Sequence, residues 1–391
     1  MTGKPFGSLA EGQLARWSHE LTAEEVEAFI RLSGDSNPVH LDDAFARQHG
    51  FRGRVVHGAL VNAFLSRVLG TVLPGPGVIW LRQEARFLQA VYVGERIEIL
   101  VRIVHKSEAL RTLVLETIVV NQRGETVLSG EASVMMLAQG QTVPLTEMVA
   151  IVTGSSRGIG AAVARKFGEQ GVRVVVNYQK RRDAAEQVVS DVTARGTEAV
   201  AVQADVSTVE GAEALADAAL KRFGRVDVLV NNATPSIARK PFLDLAWPEV
   251  DGYWNTYVQS AFTLTKRIVP GMKERGFGRI VHILTTATSG NPPPDLAGYV
   301  AGKSALWGLG KAMAVELAPF GITVNAVSPS AVMTDQWEEV PESRRRALAM
   351  RIPLRRLATP EEVAEAVLFL VDAQGRYVTG VNLPVAGGEV M

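Results

Sequence analysis

Apolar and polar positions follow two different patterns along the chain, and the change falls near residue 140. The first part has two segments with apolar residues at helical spacing, around 22–33 and 58–69. Longer segments rich in β-branched residues, separated by hairpin signals, predict strands at 96–105, 112–121 and 126–137. This pattern predicts an α+β domain over 1–138, in which an antiparallel sheet wraps one helix.

The second part alternates short apolar runs with amphipathic helical segments. The runs predict strands at 149–153, 172–177, 199–203, 226–230, 279–284 and 323–327. Strands of this kind, each followed by a helix, predict an α/β domain over 147–391 with a doubly wound parallel sheet covered on both faces. The polar stretch 139–146 is the predicted linker.

Composition removes several classes of function. The 391 residues include 41 Lys and Arg against 41 Asp and Glu, 47% hydrophobic residues and no Cys. A disordered or fibrous chain is excluded, and the absence of net charge leaves no basic field for a nucleic-acid partner. Without Cys there are no disulfides, thiolate nucleophiles or Cys-ligated zinc, and no metal site is predicted. No leader-like segment or membrane-length apolar run is present, so we expect a cytoplasmic protein with no membrane role.

A glycine-rich turn follows the first predicted strand of the second domain. Its residues let backbone N–H groups approach a pyrophosphate at the start of a helix, and the candidate cofactor-binding residues are Gly154, Ser156, Arg157, Ile159 and Gly160. An ordinary turn between a strand and a helix is the alternative. The strand, turn and helix together favour a Rossmann-type dinucleotide site.

The choice between NADH and NADPH depends on the end of the second strand of this domain. A carboxylate there receives the ribose 2′-hydroxyl of NADH but repels the 2′-phosphate of NADPH. The chain has Asn177-Tyr178-Gln179 followed by basic residues, with no acid, and Arg157 lies in the glycine-rich turn. These features predict NADPH. The alternative is that residues 180–182 are only a solvated loop. In that case, the prediction of NADPH depends on Arg157 and on the missing acid.

Tyr299 and Lys303 lie four residues apart, which places both side chains on one face of a helix. A nearby ammonium stabilises a phenolate, so Lys303 is expected to lower the pKa of Tyr299. Such a phenol can exchange a proton with a carbonyl or a hydroxyl group near neutral pH.

Together with Asp205 and Asn231-Asn232-Ala233, these motifs closely resemble the classical short-chain dehydrogenase/reductase family, above all its 3-oxoacyl-[acyl-carrier-protein] reductases, over 148–391. The resemblance implies that Tyr299 is the general acid and that Lys303 lowers its pKa and binds the cofactor ribose. It also implies cofactor contacts for Asp205 and Val206, which would flank the adenine, and for Asn231 and Thr334.

The chain departs from that family at several places, three of which concern the site. The Ser that orients the carbonyl is replaced by Thr285 or by Thr286, which keeps a hydroxyl donor but narrows the pocket. The catalytic Asn on the central helix falls on Tyr257, with Asn255 two residues away, so the resemblance does not carry the family's proton-relay water site over to this chain. Thr234 stands where the family usually has Gly.

Asp35 and His40 form a second candidate pair, five residues apart across Asn37-Pro38. Pro disfavours helix at the preceding residue, so both side chains are expected on a loop that faces one pocket. A carboxylate and an imidazole can hold a water molecule between a base and an acid. The alternative is that Asp35 caps a turn and His40 is structural.

The order of motifs around this pair, with His57-Gly58 at the start of an apolar helix, resembles the MaoC-like hot-dog domains, specifically (R)-specific enoyl-thioester hydratases/dehydratases, from about 21 to 137. The resemblance implies that Asp35 and His40 activate the water and move the α-proton. It further implies that the Gly58 N–H polarises the thioester carbonyl and that Ser66 supports the site. His57 is interpreted as a cap or packing residue.

The two resemblances imply one main hypothesis: NADPH-dependent reduction of 3-oxoacyl thioesters to (R)-3-hydroxyacyl thioesters, followed by dehydration to trans-2-enoyl thioesters, as in fatty-acid or polyketide synthesis. One alternative is hydration and oxidation in the opposite direction; another is that one half is a non-catalytic scaffold. The implied partner is an acyl thioester carried by acyl-carrier protein or CoA. Both families usually assemble, so a homo-oligomer is expected.

Overall fold

The computed structural model describes residues 6–108, 110–136, 142–289, 292–334 and 340–390. The chain divides into two compact units, 1–139 and 140–391, which are called here the N-terminal and the C-terminal unit. Part of the predicted linker, 139–141, and Leu137 at the end of the third predicted strand lie outside the described residues. The exact domain bounds therefore stay a prediction.

The N-terminal unit is built on one antiparallel sheet. Its strands are β1 (Leu14–Glu20), β2 (Val78–Phe87), β3 (Arg96–Ser107), β4 (Thr112–Asn121) and β5 (Thr126–Met136). The sheet order is β1-β3-β4-β5-β2, and each neighbouring pair is antiparallel. Sequence analysis missed the edge strands β1 and β2, because every residue in them is exposed or half-buried and no apolar run marks them.

The helices of the N-terminal unit are α1 (Ala23–Ser33), α2 (Pro38–Leu41), α3 (Asp43–Gln48) and α4 (Gly58–Thr71). The sheet packs against α4, whose buried residues are Leu60, Val61, Leu65, Val68 and Leu69. They share one apolar cluster with the inward-facing residues of β3, β4 and β5. This is the hot-dog arrangement, and it confirms the predicted α+β class.

The C-terminal unit contains a parallel sheet. Its strands are β6 (Val149–Val152), β7 (Arg173–Tyr178), β8 (Ala199–Gln203), β9 (Val228–Asn231), β10 (Gly278–Ile283), β11 (Ile322–Pro329) and β12 (Asn382–Val385). The order is β12-β11-β10-β9-β6-β7-β8, with every pair parallel. The predicted Rossmann-type fold is confirmed, and β12 is a strand that the sequence analysis missed.

Helices cover both faces of this sheet, as predicted. They are α5 (Gly158–Glu169), α6 (Arg182–Thr193), α7 (Val209–Phe223), α8 (Trp247–Trp254), α9 (Ser260–Arg275), α10 (Ala297–Leu317), α11 (Glu342–Ala349) and α12 (Pro360–Val371). One apolar cluster joins the sheet to α5, α6 and α12, and a second joins it to α7, α9 and α10. A π-helical segment, Asn255–Gln259, connects α8 to α9.

The strand order places a crevice at the carboxyl ends of β6 and β9. These strands are neighbours although they are not consecutive in the chain, so their connections leave in opposite directions. The glycine-rich turn follows β6, and Asn231 ends β9. Within the described residues, no helix has both the length and the apolar character that a membrane crossing needs.

Candidate active sites

Three side chains meet at the loop between α1 and α2 and the start of α4. The ligand-type atoms of Asp35, His40 and His57 lie within 4.8 Å of one another. The rings of His40 and His57 stack, with centroids 3.6 Å apart and planes 23° apart. Lone pairs in two nearly parallel planes do not converge on one cation. The cluster is therefore better suited to proton transfer than to holding a metal ion.

The hydrogen bonds of His40 set which ring nitrogen carries the proton. Nδ1 lies 2.6 Å from the carbonyl oxygen of Val55, which accepts a hydrogen bond. A neutral His40 therefore carries its proton on Nδ1 and keeps a lone pair on Nε2. Val55 is itself held by a bridge to Tyr92. The Val55 carbonyl oxygen, held in place by the bridge to Tyr92, thus sets the tautomer of His40, the candidate base.

The local structure around His40 corrects one expectation. Asp35 lies on a loop, as predicted, but His40 lies on the one-turn helix α2. Pro38 occupies a first-turn position of this helix, where its missing N–H costs nothing, and the Asn37 side chain accepts a hydrogen bond from the Val39 N–H. An Asn-Pro pair that breaks one helix can therefore start the next.

His57, which the sequence analysis interprets as a cap or packing residue, is a packing residue in the structure. It sits at the N-cap of α4, but its side chain makes no capping hydrogen bond. Its Nε2–H instead donates to the Asp35 carbonyl oxygen at 3.2 Å, and Nε2 lies 3.8 Å from Asp35 Oδ2. Burial lowers the pKa of His57, while the hydrogen bond to Asp35 opposes this shift. His57 is therefore a packed, neutral part of the cluster rather than a cap.

Gly58 begins α4 directly beside this cluster. A Cβ atom at residue 58 would lie 2.7 Å from Cε1 of Phe87, so glycine lets that exposed ring lie directly against the start of the helix. The first N–H groups of a helix have no intrahelical acceptor and carry a partial positive charge, which suits a substrate carbonyl. Ser66 is exposed on α4, and within the described residues no hydrogen bond joins its side chain to Asp35 or His40.

The glycine-rich turn after β6 is tightly packed against the segment after β9. Cβ atoms at Gly154 and Gly160 would lie 2.9 Å from Ala233 Cα and 2.5 Å from Asn232 Nδ2. Asn232 also donates to the Thr153 and Gly154 carbonyl oxygens. The turn is therefore a rigid cradle at the start of α5, which fits a dinucleotide pyrophosphate.

The remaining candidate cofactor residues lie around this cradle. Thr334 packs against Gly158, since its Cγ2 lies 3.4 Å from the position of a Cβ atom there. Asp205 follows β8, and its carboxylate accepts hydrogen bonds from Ser207 and Gln179. Arg157 is exposed at the N-cap of α5, and Ser156 and Ile159 are half-buried. Val206 is buried.

Tyr299 and Thr285 are brought together by α10 and the turn after β10. A hydrogen bond with the Thr285 side chain lowers the pKa of Tyr299, but burial outweighs it and raises that pKa. Thr285 is also the N-cap of the short turn Thr286–Thr288 and accepts from the Ala287 N–H. Of the two candidates for the family's Ser, Thr285 is therefore the one in contact with Tyr299.

The pKa of Tyr299 is raised in this structure, whereas the sequence analysis expects Lys303 to lower it. The Lys303 side chain is buried, and Nζ donates to the Ile283 carbonyl oxygen at 2.6 Å. Burial lowers the pKa of Lys303 to about 7. The expectation considered only the attraction between the ammonium and a phenolate. In the structure, burial away from water is the largest cause of the pKa shift of both Tyr299 and Lys303.

Tyr257, rather than Asn255, occupies the place beside Lys303. Asn255 donates to Asp251. The Tyr257 ring centroid lies 4.0 Å from Lys303 Nζ, and its hydroxyl lies 2.5 Å from Thr234 Oγ1. Two departures from the family, Tyr257 and Thr234, are therefore in direct contact.

Asn231 and His282 form a further buried pair, which sequence reasoning missed. Asn231 Nδ2 donates to His282 Nδ1 at 3.1 Å, and the two residues are opposite each other in the β9–β10 register. Burial lowers the pKa of His282 to about 3. The signal in the sequence was weak, because no acid lies near His282 in the chain.

Comparisons with known proteins agree with this architecture. Residues 153–389, more than half of the chain, match the family described as Enoyl-(Acyl carrier protein) reductase, and residues 7–123 match the family described as MaoC like domain. A 3-oxoacyl-[acyl-carrier-protein] reductase of Synechocystis sp. is 40% identical over 250 residues, covering 63% of this chain and 98% of that protein.

Two solved structures resemble the C-terminal unit. A mutant short-chain dehydrogenase/reductase of Serratia marcescens is 35% identical with a TM-score of 0.59, covering 63% of this chain and 99% of that one. A blue fluorescent protein from a metagenomic library, solved in complex with NADPH, is 32% identical with a TM-score of 0.60, covering 64% and 100%. Both resemblances inferred from the motifs are confirmed. The chain belongs to the short-chain dehydrogenase/reductase family through its C-terminal unit, and its N-terminal unit is a MaoC-like domain.

Proposed function

We propose that the chain is a bifunctional enzyme that reduces 3-oxoacyl thioesters with NADPH and dehydrates the resulting (R)-3-hydroxyacyl thioesters to trans-2-enoyl thioesters. The observation that carries the proposal is the presence of two separate proton-transfer clusters, Tyr299–Thr285 and Asp35–His40, on one chain. The product of the first reaction is the substrate of the second.

In the C-terminal unit, Tyr299 is proposed as the general acid. Because burial raises the pKa of Tyr299, the phenol is protonated at neutral pH and can donate its proton to the C3 carbonyl oxygen. Thr285 donates a hydrogen bond to the same oxygen and orients it.

The cofactor proposed for this step is NADPH, which supplies a hydride when bound. Its pyrophosphate would lie against Gly154, Ser156, Ile159 and Gly160, and Asp205, Val206, Asn231 and Thr334 would line the rest of the site. Exposed Arg157 and the carboxylate-free end of β7 support the phosphorylated cofactor. The NADPH complex of a relative with the same fold also supports it.

In the N-terminal unit, His40 is proposed to remove the α-proton and to pass a proton to the leaving hydroxyl group, which Asp35 holds in place and which departs as water. His40 Nε2 has the free lone pair that a base needs, because Nδ1–H is bound to Val55. The Gly58 N–H at the start of α4 would stabilise the negative charge that develops on the thioester carbonyl.

The 3-oxoacyl-[acyl-carrier-protein] reductases among the relatives support a thioester substrate on acyl-carrier protein, and CoA offers the same thioester chemistry. The reaction order then fits fatty-acid or polyketide-type synthesis. A homo-oligomer and a cytoplasmic location remain part of the proposal.

The test is a product assay with the full chain, acetoacetyl thioester and either NADPH or NADH, read by mass spectrometry. We expect 3-hydroxybutyryl and crotonyl thioesters with NADPH. Tyr299→Phe should lower reduction by about 100-fold or more and leave hydration of crotonyl thioester intact. Asp35→Asn should do the reverse.

Exposed residues provide matched controls: Tyr377→Phe and Asp244→Asn should leave both reactions unchanged. Strong preference for NADH would overturn the reductive direction. Unchanged reduction by Tyr299→Phe, or unchanged hydration by Asp35→Asn, would overturn the corresponding site.

A further inference from the structure

Tyr257 lies in the core of the C-terminal unit, in contact with the proposed reductase site. Its side chain is 2% exposed, and it is among the largest fully buried side chains of the described residues. The ring faces Lys303 Nζ at 4.0 Å and meets the Tyr299 ring edge-on, with centroids 6.2 Å apart. This ring therefore touches both proposed catalytic side chains.

The ammonium of Lys303 has few other favourable contacts. It is 3% exposed, and among the described residues no carboxylate pairs with it. Nζ has three N–H donors, and one of them is bound to the Ile283 carbonyl oxygen. A buried cation with one neutral hydrogen-bond partner is costly, so an electron-rich ring face within 6 Å is a substantial stabilising contact.

The other titratable groups around Lys303 give it no opposite charge. His282 on β10 interacts electrostatically with Lys303 and is neutral, because its own pKa is lowered to about 3. Tyr253 on α8 stacks on Tyr257, Tyr299 on α10 meets the Tyr257 ring edge-on, and neither brings a carboxylate to Lys303. The Tyr257 ring face is thus the second favourable contact of the Lys303 ammonium, beside the Ile283 carbonyl oxygen.

Neighbouring residues hold the Tyr257 ring in this position. Its hydroxyl lies 2.5 Å from Thr234 Oγ1, so the two hydroxyl groups share a hydrogen bond. Gly302, in the helical turn next to Lys303, leaves room for the ring, since a Cβ atom there would lie 2.9 Å from Tyr257 Cδ2. The hydrogen bond between Tyr257 and Thr234 holds the hydroxyl end of the ring, and Gly302 on α10 packs against the ring carbons.

We propose that Tyr257 is a positioning residue of the reductase site, whose ring face holds the Lys303 ammonium and whose hydroxyl is anchored by Thr234. It occupies the place where the family has an asparagine, and it replaces an amide by a cation–π contact. The role of this contact in catalysis rests on the proposed function, but the contact itself does not. The Tyr257 ring face then stabilises the charge of Lys303 without using its remaining N–H groups, which stay available as donors to Tyr299 and to the cofactor ribose.

The test measures the titration of Lys303 directly, in the full chain labelled with ¹³C-lysine and followed by NMR. Lys303→Met assigns the resonance, and exposed Lys311 on the same helix is the internal control. Tyr257→Phe keeps the ring face and should leave the pKa of Lys303 nearly unchanged. Phenylalanines with one, two and three ring fluorines at position 257 keep the ring shape and weaken only its electron density. They should lower the pKa of Lys303 stepwise, by about one unit in total.

A second readout follows NADPH-dependent reduction of acetoacetyl thioester across pH in the same variants. The pH midpoint that depends on Lys303 should move down with the number of fluorines. A pKa of Lys303 that stays constant through the fluorinated series would overturn the inference and leave the proposed reductase standing. A fluorine-dependent pKa in a chain without NADPH-dependent reduction would overturn the proposed function and keep the cation–π contact.

Discussion

At the scale of single residues, the N-terminal site contains a histidine whose polar and stacking contacts go to the two proposed catalytic residues. His57 donates a hydrogen bond to the Asp35 carbonyl oxygen and stacks on His40, so it contacts both proposed catalytic residues. Its Nδ1 is buried without a hydrogen-bond partner among the described residues. These contacts suit a residue that orients its neighbours rather than one that transfers protons.

We therefore expect His57→Phe to keep the stacked ring but to lose the hydrogen bond to Asp35. One neutral hydrogen bond contributes about 0.5–1.5 kcal/mol, so hydration of crotonyl thioester should slow by roughly 3- to 10-fold. The slope of the rate with pH should stay as in the parent chain, because His57 donates no proton. His49→Phe, at an exposed position, is the matched control. A loss as large as that of Asp35→Asn would contradict the orienting role and indicate direct proton transfer.

Sequence spacing identified Asp35, His40, Tyr299 and Lys303, because these residues belong to compact motifs within one loop or one helical turn. It could not identify the roles of His57 and Tyr257. The stacking of His57 on His40 depends on the Val55–Tyr92 bridge, and the contact of Tyr257 with Lys303 depends on how α10 packs on the π-helical segment. Contacts of this kind join segments that are distant in the chain.

At the scale of elements, the central strands were predictable and the edge strands were not. Strands β6, β9, β10 and β11 are buried along their whole length, and each has enough apolar residues to be predicted, although β10 and β11 also contain polar ones. Strands β1 and β2 have no fully buried residue, and their side chains change only between exposed and half-buried along the strand. The hydrophobic signal that predicts a strand is therefore lost where one edge of the sheet faces solvent.

The pairing of β9 with β10 predicts an acid-sensitive stability of the C-terminal unit. Burial lowers the pKa of His282 to about 3, whereas an unfolded histidine titrates near 6.5. Below pH 6.5 the unfolded chain takes up a proton that the folded chain refuses, so the free energy of unfolding decreases as the pH falls. Between pH 6.5 and 5 the loss from His282 should be about 1.5 kcal/mol.

The measurement is hydrogen exchange of peptides that cover β9 and β10, which reports on this unit alone. His282→Asn should remove the acid-dependent loss of protection, while His105→Asn, an exposed position in the other unit, should leave it as in the parent chain. An equal loss of protection in His282→Asn and the parent chain would show that other groups control the acid response.

At the scale of the whole molecule, each proposed site is built from residues of one unit. Asp35, His40 and Gly58 lie in the N-terminal unit, and Tyr299 and Lys303 lie in the C-terminal unit. Each unit also buries its own apolar cores. Each proposed site therefore uses side chains of one unit, and the proposed link between the two reactions is chemical: the 3-hydroxyacyl thioester proposed as the product of one is the substrate proposed for the other.

This independence predicts complementation between two inactive variants. Asp35→Asn should accumulate the 3-hydroxyacyl thioester from acetoacetyl thioester and NADPH, and Tyr299→Phe should make no product from the same mixture. Combined in equal amounts, they should restore formation of crotonyl thioester, because the released intermediate can reach an intact N-terminal unit on another chain. Product mass spectrometry over time checks this, with the double variant Asp35→Asn/Tyr299→Phe as the control that stays inactive. If the mixture accumulates the hydroxyl intermediate without crotonyl product, the dehydration site works only on substrate formed on its own chain.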